Sequence, residues 1–589
     1  MTGAGNHLDH LQGALAHLSS GKADEALRLL AFVPADSGLH PHVRHLRGIA
    51  YARLGQASEA IESLEGALPW LADDHEFLAN LARAYCTSAR FADALSLLDK
   101  VAAAGKASAV TYSDRAVLLE KIDRDALALE SYDAALALDA SLSPALAGKA
   151  NLLHKMGRYD EALACHDRLH RMQPANALAV SSRASTLDKL GRMTEALIEH
   201  QRAQALSPGQ PAICCGHGVC LVLLDQLEEG LRCFDQALAI DPTHPQAMIN
   251  RAAVLAELRR YPESLSQFDA ALQLAPATGN TRAQAICFRG MVRLTLGDPS
   301  GWADYEHRIF ADQASERRNA LAPRWSGSEP LGGKTILLWG EQGYGDIIQF
   351  CRYAVSLAEL GAAVILEVPA SLLTLCASLP VAKVCQKDAE LPPHDFQIPM
   401  MSMPLALQSQ PQLAGIPCAA GYLRAEPRLT EKWKRALPPP NRKPRIGLAC
   451  SGALRHSRNA RRSLPLAKLL PLADLADLVI LQPDLTPADA YTAAVMPQLA
   501  RPALDRANFA DVAGLIANLD MVISVDTSIA HLAGAMGVPV WILLPWNAEW
   551  RWMTDRADTP WYKSARLFRQ PARSDWDAVI RNVLRALNR

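Results

Sequence analysis

The chain has 589 residues, 60 Lys and Arg against 61 Asp and Glu, a formal net charge of −1 and 50% hydrophobic residues. That length exceeds a single hydrophobic core, so roughly two to four domains are expected, and the balanced charge argues against nucleic acid or an anionic membrane surface as the main ligand. Residues 1–10 lack the basic and apolar regions of a secretory signal, no apolar run reaches membrane-spanning length, and the 12 cysteines follow no framework spacing, so reduced thiols and a cytoplasmic location are expected.

The first half is rich in Ala and Leu. Ala26, Ala60, Ala94, Ala128, Ala162 and Ala196 recur every 34 residues, and Gly230 and Ser264 continue the register. Five residues before each lies a turn position: Gly21, Gly55, Ala89, Asp123, Gly157, Gly191, Asp225 and Arg259. A small residue is needed where two helices cross closely, and Gly or Asp suits the turn between them. This period resembles tetratricopeptide (TPR) repeats, each a pair of antiparallel helices, and predicts an α-solenoid over 1–310 with eight or nine units. The ninth follows an insertion, Ala277 to Thr281, and places Gly297 and Trp302 at the turn and second helix. The resemblance implies a bound protein partner, with a dimerisation surface or spacer as the alternative. Cys214-Cys215-Gly-His217-Gly-Val-Cys220 invites a metal reading but lacks the second ligand pair of a zinc site, which favours core packing.

A linker over 311–333 precedes two segments with the alternating β/α pattern of a parallel sheet, 334–437 and 438–589. In the first, the strand Thr335–Trp339 runs into Gly340-Glu-Gln342-Gly343-Tyr-Gly345-Asp346, with a helix expected from Ile347 to about Leu360 and further strands at Ala363–Val368 and Phe396–Pro399. After a hinge at Pro438-Pro-Pro440, strands are expected at Pro444–Cys450, Leu478–Leu481, Met521–Val525 and Val538–Leu544, then a last helix from Trp576 to Leu587. Two Rossmann-like lobes would put a ligand cleft at the carboxyl ends of both sheets. The sequence lacks a P-loop, a dinucleotide fingerprint, H-E-x-x-H and G-x-S-x-G in the required contexts.

Asp520-Met-Val-Ile-Ser-Val-Asp526-Thr527-Ser528-Ile529-Ala-His531 resembles the D-T-G-x-x-H hallmark of the heptosyltransferases, glycosyltransferase family 9, and Gly343-Tyr-Gly345-Asp346 resembles the glycine loop of their first lobe. Trp339 to Asp346, Trp550-Arg-Trp552, Pro560-Trp-Tyr562 and Arg566 to Gln570 are similar to TPR-fused members, including flagellin glycosyltransferases. The resemblance implies a GT-B fold and sugar transfer from a nucleotide-sugar (a UDP-, GDP-, ADP- or CMP-sugar) to Ser or Thr of a protein acceptor, with flagellin preferred. The alternatives are a cell-envelope or lipopolysaccharide transferase whose repeats recruit partners, and a non-catalytic scaffold.

By this resemblance Asp346 is the general base, or else a helix cap. Asp526 contacts donor hydroxyls, with His531 in the same pocket or merely in the core. Thr527, Ser528 and Ile529 open a helix whose N–H groups would hold a phosphate, so no metal is expected. Arg462 is a phosphate contact or a surface charge, and Gln482 would reach the nucleobase. Gln342, Gly343 and Gly345 form the glycine loop, and Gln349 and Phe350 stand where the family usually carries a histidine. Trp546, Trp550 and Trp552 are read as a structural cluster beside the cleft.

Overall fold

The computed structural model describes residues 3–34, 37–274, 279–311, 322–410, 415–439, 442–452, 459–496, 499–505 and 508–588. Most of the expected linker (312–321), Ala277 and Thr278 of the expected insertion and Pro440 of the hinge lie outside the described residues. The chain divides into two compact units, Met1–Pro242 and Thr243–Arg589.

The first unit is a run of helix pairs, from Gly3–Ser19 with Ala23–Leu30 to Pro211–Leu223 with Leu227–Ile240. The small-residue positions are where the helices cross, and Ala26, Ala94, Ala128, Ala162 and Ala196 are fully buried. Every turn position takes a left-handed φ, from +55° at Asp123 to +80° at Gly21, which explains the preference for Gly and Asp there. Adjacent repeats are joined by a ladder in the same register: Arg115–Asp99 at 2.7 Å, Lys149–Asp133 at 2.5 Å and Arg183–Asp167 at 2.7 Å. The ligand atoms of Asp188, His200 and Cys220 fall within 4.8 Å of one another. One repeat earlier the same positions hold His154, His166 and Thr186, with His154 Nδ1 3.0 Å from Thr186 Oγ1. The cluster is thus a recurring contact of the repeat core. Cys214, Cys215 and Cys220 are buried there as well.

The second unit opens with helices α1 (Pro245–Glu257), α2 (Tyr261–Leu274), α3 (Asn280–Thr295) and the short α4 (Gly301–Tyr305). Gly297 turns between α3 and α4 at φ +80°, and Trp302 lies in α4. Strands β1 (Thr335–Trp339), β2 (Ala363–Val368), β3 (Lys383–Gln386) and β4 (Phe396–Pro399) form an all-parallel sheet in the order β3-β2-β1-β4. Strands β5 (Arg445–Ala449), β6 (Asp477–Ile480), β7 (Met521–Val525), β8 (Val540–Leu544) and β9 (Ala565–Arg569) form a second parallel sheet, β6-β5-β7-β8-β9. Strand order reverses at β1 in one sheet and between β5 and β7 in the other, and ligands bind at the carboxyl ends of such switch points.

The expected helix from Ile347 to Leu360 is two helices, α5 (Tyr344–Phe350) and a second over Tyr353–Glu359. The early start follows from Asp346, whose Oδ2 accepts the N–H of the N-cap Gly343 at 2.9 Å. The family 9-like Asp526 segment leads into α6 (Ser528–Ala535) directly after β7. Trp576–Leu587 is helical as expected and buries Trp576, Val579, Ile580 and Val583 in the core of the second sheet. Among the described residues no helix is long and apolar enough to cross a membrane.

Candidate active site

A cavity of about 230 Å³ opens where the carboxyl ends of β1 and β7 face each other. Gly343, Gly345 and Asp346 line it from the glycine loop and α5, and Asp526, Thr527, Ser528 and His531 from the turn into α6. Tyr344, Arg462, Gly452, Glu549 and Arg551 complete the wall. The glycine loop and α6 meet closely here: a Cβ built on Gly345 would stand 3.0 Å from His531 Cδ2, so glycine permits the contact.

Asp346 is held on both oxygens. Oδ2 takes the Gly343 N–H, and Oδ1 takes Nη2 of Arg551. Arg551 is buried, donates from Nε to Gln349 Oε1 at 2.9 Å, and pairs through Nη1 with Glu549. Burial opposes its charge, but Asp346, Glu549 and Asp526 more than offset that and push its pKa up.

Asp526 is also buried. Burial raises its pKa, but the neighbouring His531 and Arg551 outweigh it and hold the carboxyl below its ordinary range. His531 Nε2 lies 3.7 Å from Asp526 Oδ1, while Nδ1 is 2.9 Å from the Tyr562 hydroxyl and the ring stacks on Trp552 at 5.2 Å. Thus Trp552 and Tyr562 fix the histidine ring from behind the cavity. Trp550 instead packs with Trp302 and Trp561, and Trp546 lies under the Arg259 guanidinium.

Three expected site residues lie elsewhere. Ile529 is buried, and its N–H is taken by the N-cap Thr527 Oγ1 at 3.3 Å. Gln482 is buried and spends its amide on the loop after β5: Oε1 accepts from Cys450 N (2.6 Å) and Ser451 N (3.1 Å), and Nε2 donates to Ser451 Oγ and Asp484 O (3.1 Å each). Gln342 faces a neighbouring cavity and donates to the Tyr305 hydroxyl at 3.3 Å. Arg462 does line the site. Its guanidinium packs on Gly452, where a Cβ would fall 2.5 Å from Nη2, and its buried Nε has no partner among the described residues.

Residues 148–211 and 224–277 match the tetratricopeptide repeat family, and residues 492–561, spanning Asp526 to His531 and Trp550 to Trp552, match glycosyltransferase family 9 (heptosyltransferase). The chain joins tetratricopeptide repeats to a glycosyltransferase family 9 domain. Protein FlbA of Caulobacter vibrioides is 25% identical over 348 residues, 53% of this chain and 56% of that protein, so the match spans about half of each. A TPR protein from Parabacteroides merdae is 18% identical with a TM-score of 0.34 over 40% of this chain and 93% of its own. TTC0263, a TPR protein of Thermus thermophilus, is 21% identical with a TM-score of 0.29 over 31% of this chain and 98% of its own.

Within the family 9 domain, Arg551 and Glu549 are site residues that stand in none of the expected site positions. An arginine between two tryptophans, Trp550 and Trp552, is nevertheless a signal. If the aromatics are buried the cation is buried too, and it then requires a carboxylate partner.

Proposed function

We propose that this chain is a metal-independent glycosyltransferase of GT-B architecture, acting in the cytoplasm. It moves a sugar from a nucleotide-sugar to a Ser or Thr hydroxyl of a protein docked by the repeats, with flagellin as the acceptor. The observation that carries this reading is the single cavity joining Asp346 to Asp526, Thr527, Ser528 and His531 of the family 9 domain.

In this reading Asp346 accepts the acceptor hydroxyl proton as the oxygen attacks the anomeric carbon and the bond to the donor phosphate breaks. Each carboxylate oxygen keeps a second lone pair beyond its bond to Arg551 or Gly343. Asp526 binds donor hydroxyls. The start of α6, Arg462 and Arg551 supply positive potential for the leaving phosphate, which is the role a metal would otherwise fill. Gln482 supports the Cys450–Gly452 loop from beneath. Calorimetric titration with UDP, GDP, ADP and CMP tests the donor half of this proposal: one should bind, and Asp526→Ala should weaken it. Binding of none of the four would count against the site.

A further inference from the structure

A second cavity, of about 290 Å³, shares Glu549 and Arg551 with the transfer cavity. Its remaining walls come from the last repeats and the two lobes together. Ala253, Phe288, Met291 and Val292 of α1 and α3 give it an apolar side, while Gln342 of the glycine loop and Asn547 give it a polar one. The repeat helices are fastened to the second lobe at its edge: Tyr261 donates to Asn547 Oδ1 at 3.2 Å, Asn547 Nδ2 donates to Glu257 Oε2 at 3.0 Å, and Arg259 pairs with Asp555 at 2.7 Å. Gln342 holds a left-handed φ of +59°, a conformation costly for a residue with a side chain and found where a site over-determines the backbone.

A nucleotide-sugar is polar and anionic, and the polar cavity at the start of α6 suits it. The neighbouring cavity is walled on one side by repeat helices and on the other by the two residues that also wall the transfer cavity. Its volume is at the small end of ligand pockets, roughly 300–1,000 Å³, enough for a side chain with its backbone. We propose that this cavity is the acceptor subsite, holding an extended polypeptide segment whose apolar side chain, next to the Ser or Thr to be modified, packs on Ala253, Phe288 and Met291. The Gln342 amide and the half-exposed Glu549 carboxylate face the backbone of that segment. The assignment rests on the transfer reading above and adds to it a sequence preference, an apolar neighbour beside the modified hydroxyl.

The test uses the full chain, flagellin isolated from source cells carrying Asp346→Asn, and the nucleotide-sugar fraction of the same cells. The readout is the initial rate of mass gain on sub-saturating flagellin, with nucleotide release in its absence as the measure of donor turnover. Ala253 is half-buried and faces the cavity, so Ala253→Trp fills it; circular dichroism and Tm verify the fold. The rate on flagellin should fall about tenfold or more while nucleotide release persists. Replacing the apolar neighbour in flagellin by Gly should produce a similar loss with the unaltered enzyme and little further loss with Ala253→Trp, since the two changes remove one contact. An unchanged rate with Ala253→Trp would overturn the subsite. Failure of the unaltered chain to add mass would instead overturn the transfer reading on which it rests.

Discussion

Asp346, which follows β1 of the first sheet, and Arg551, which follows β8 of the second, form an ion pair in the wall of the candidate transfer cavity. The pair gives the proposed base a fixed orientation, because Oδ1 is held by the guanidinium and Oδ2 by the Gly343 N–H. Asp346→Asn is nearly isosteric but cannot take a proton. Transfer should fall about 10²-fold or more while nucleotide binding by calorimetry persists. Near-normal turnover would reduce Asp346 to a helix-start residue.

Arg551→Met removes the cation that Asp346 and Glu549 share. Breaking a fully buried pair by removing one partner costs about 3–5 kcal/mol; Asp346 and Glu549 keep 16% and 34% of their side chains exposed, so urea unfolding should show a smaller loss, about 1–3 kcal/mol. Adding Asp346→Asn to Arg551→Met should restore part of it, because the stranded carboxylate disappears. If the double variant is no more stable than Arg551→Met, the pair is not the source of the loss.

Asp526 gives a pH signature. Its folded pKa lies below the unfolded value of about 3.9, so its charged form adds stability that is full above that value and lost as pH falls through the lower folded value. The Tm advantage of the unaltered chain over Asp526→Asn should therefore be largest near pH 6 and shrink below about pH 4. A gap that widens as pH falls would contradict the assigned direction.

Gln482→Leu separates support from recognition. It strands the buried Cys450 and Ser451 N–H groups, each at a cost of about 1–3 kcal/mol. Thermal unfolding should show that cost, and the preference among UDP, GDP, ADP and CMP should not change. A switch in nucleotide preference with undiminished Tm would return Gln482 to the nucleobase.

The repeats were legible because one constraint recurs. Where helices cross, only a small residue fits, and the turns take a left-handed φ even at Ala89 and Arg259. The strands buried on both faces were legible as apolar runs closed by Gly or Pro. The edge strands β3 and β9 were not, since Lys383–Gln386 is largely unburied and Ala565–Arg569 carries two arginines. The site divides in the same way. Asp346, Asp526 and His531 stand in local motifs, whereas Arg551 depends on a partner 205 residues away. The Gln482 contacts depend on a loop 31 and 32 residues distant. Motif reading reaches the first kind of residue, and only the packed fold reaches the second.

Sugar transfer to a protein through Asp346 would show in the intact mass of flagellin purified from source cells carrying the unaltered gene or its Asp346→Asn allele. The allele should yield flagellin lighter by one or more whole sugar residues, with the chain present at normal abundance. Flagellin of identical mass from both strains would contradict it.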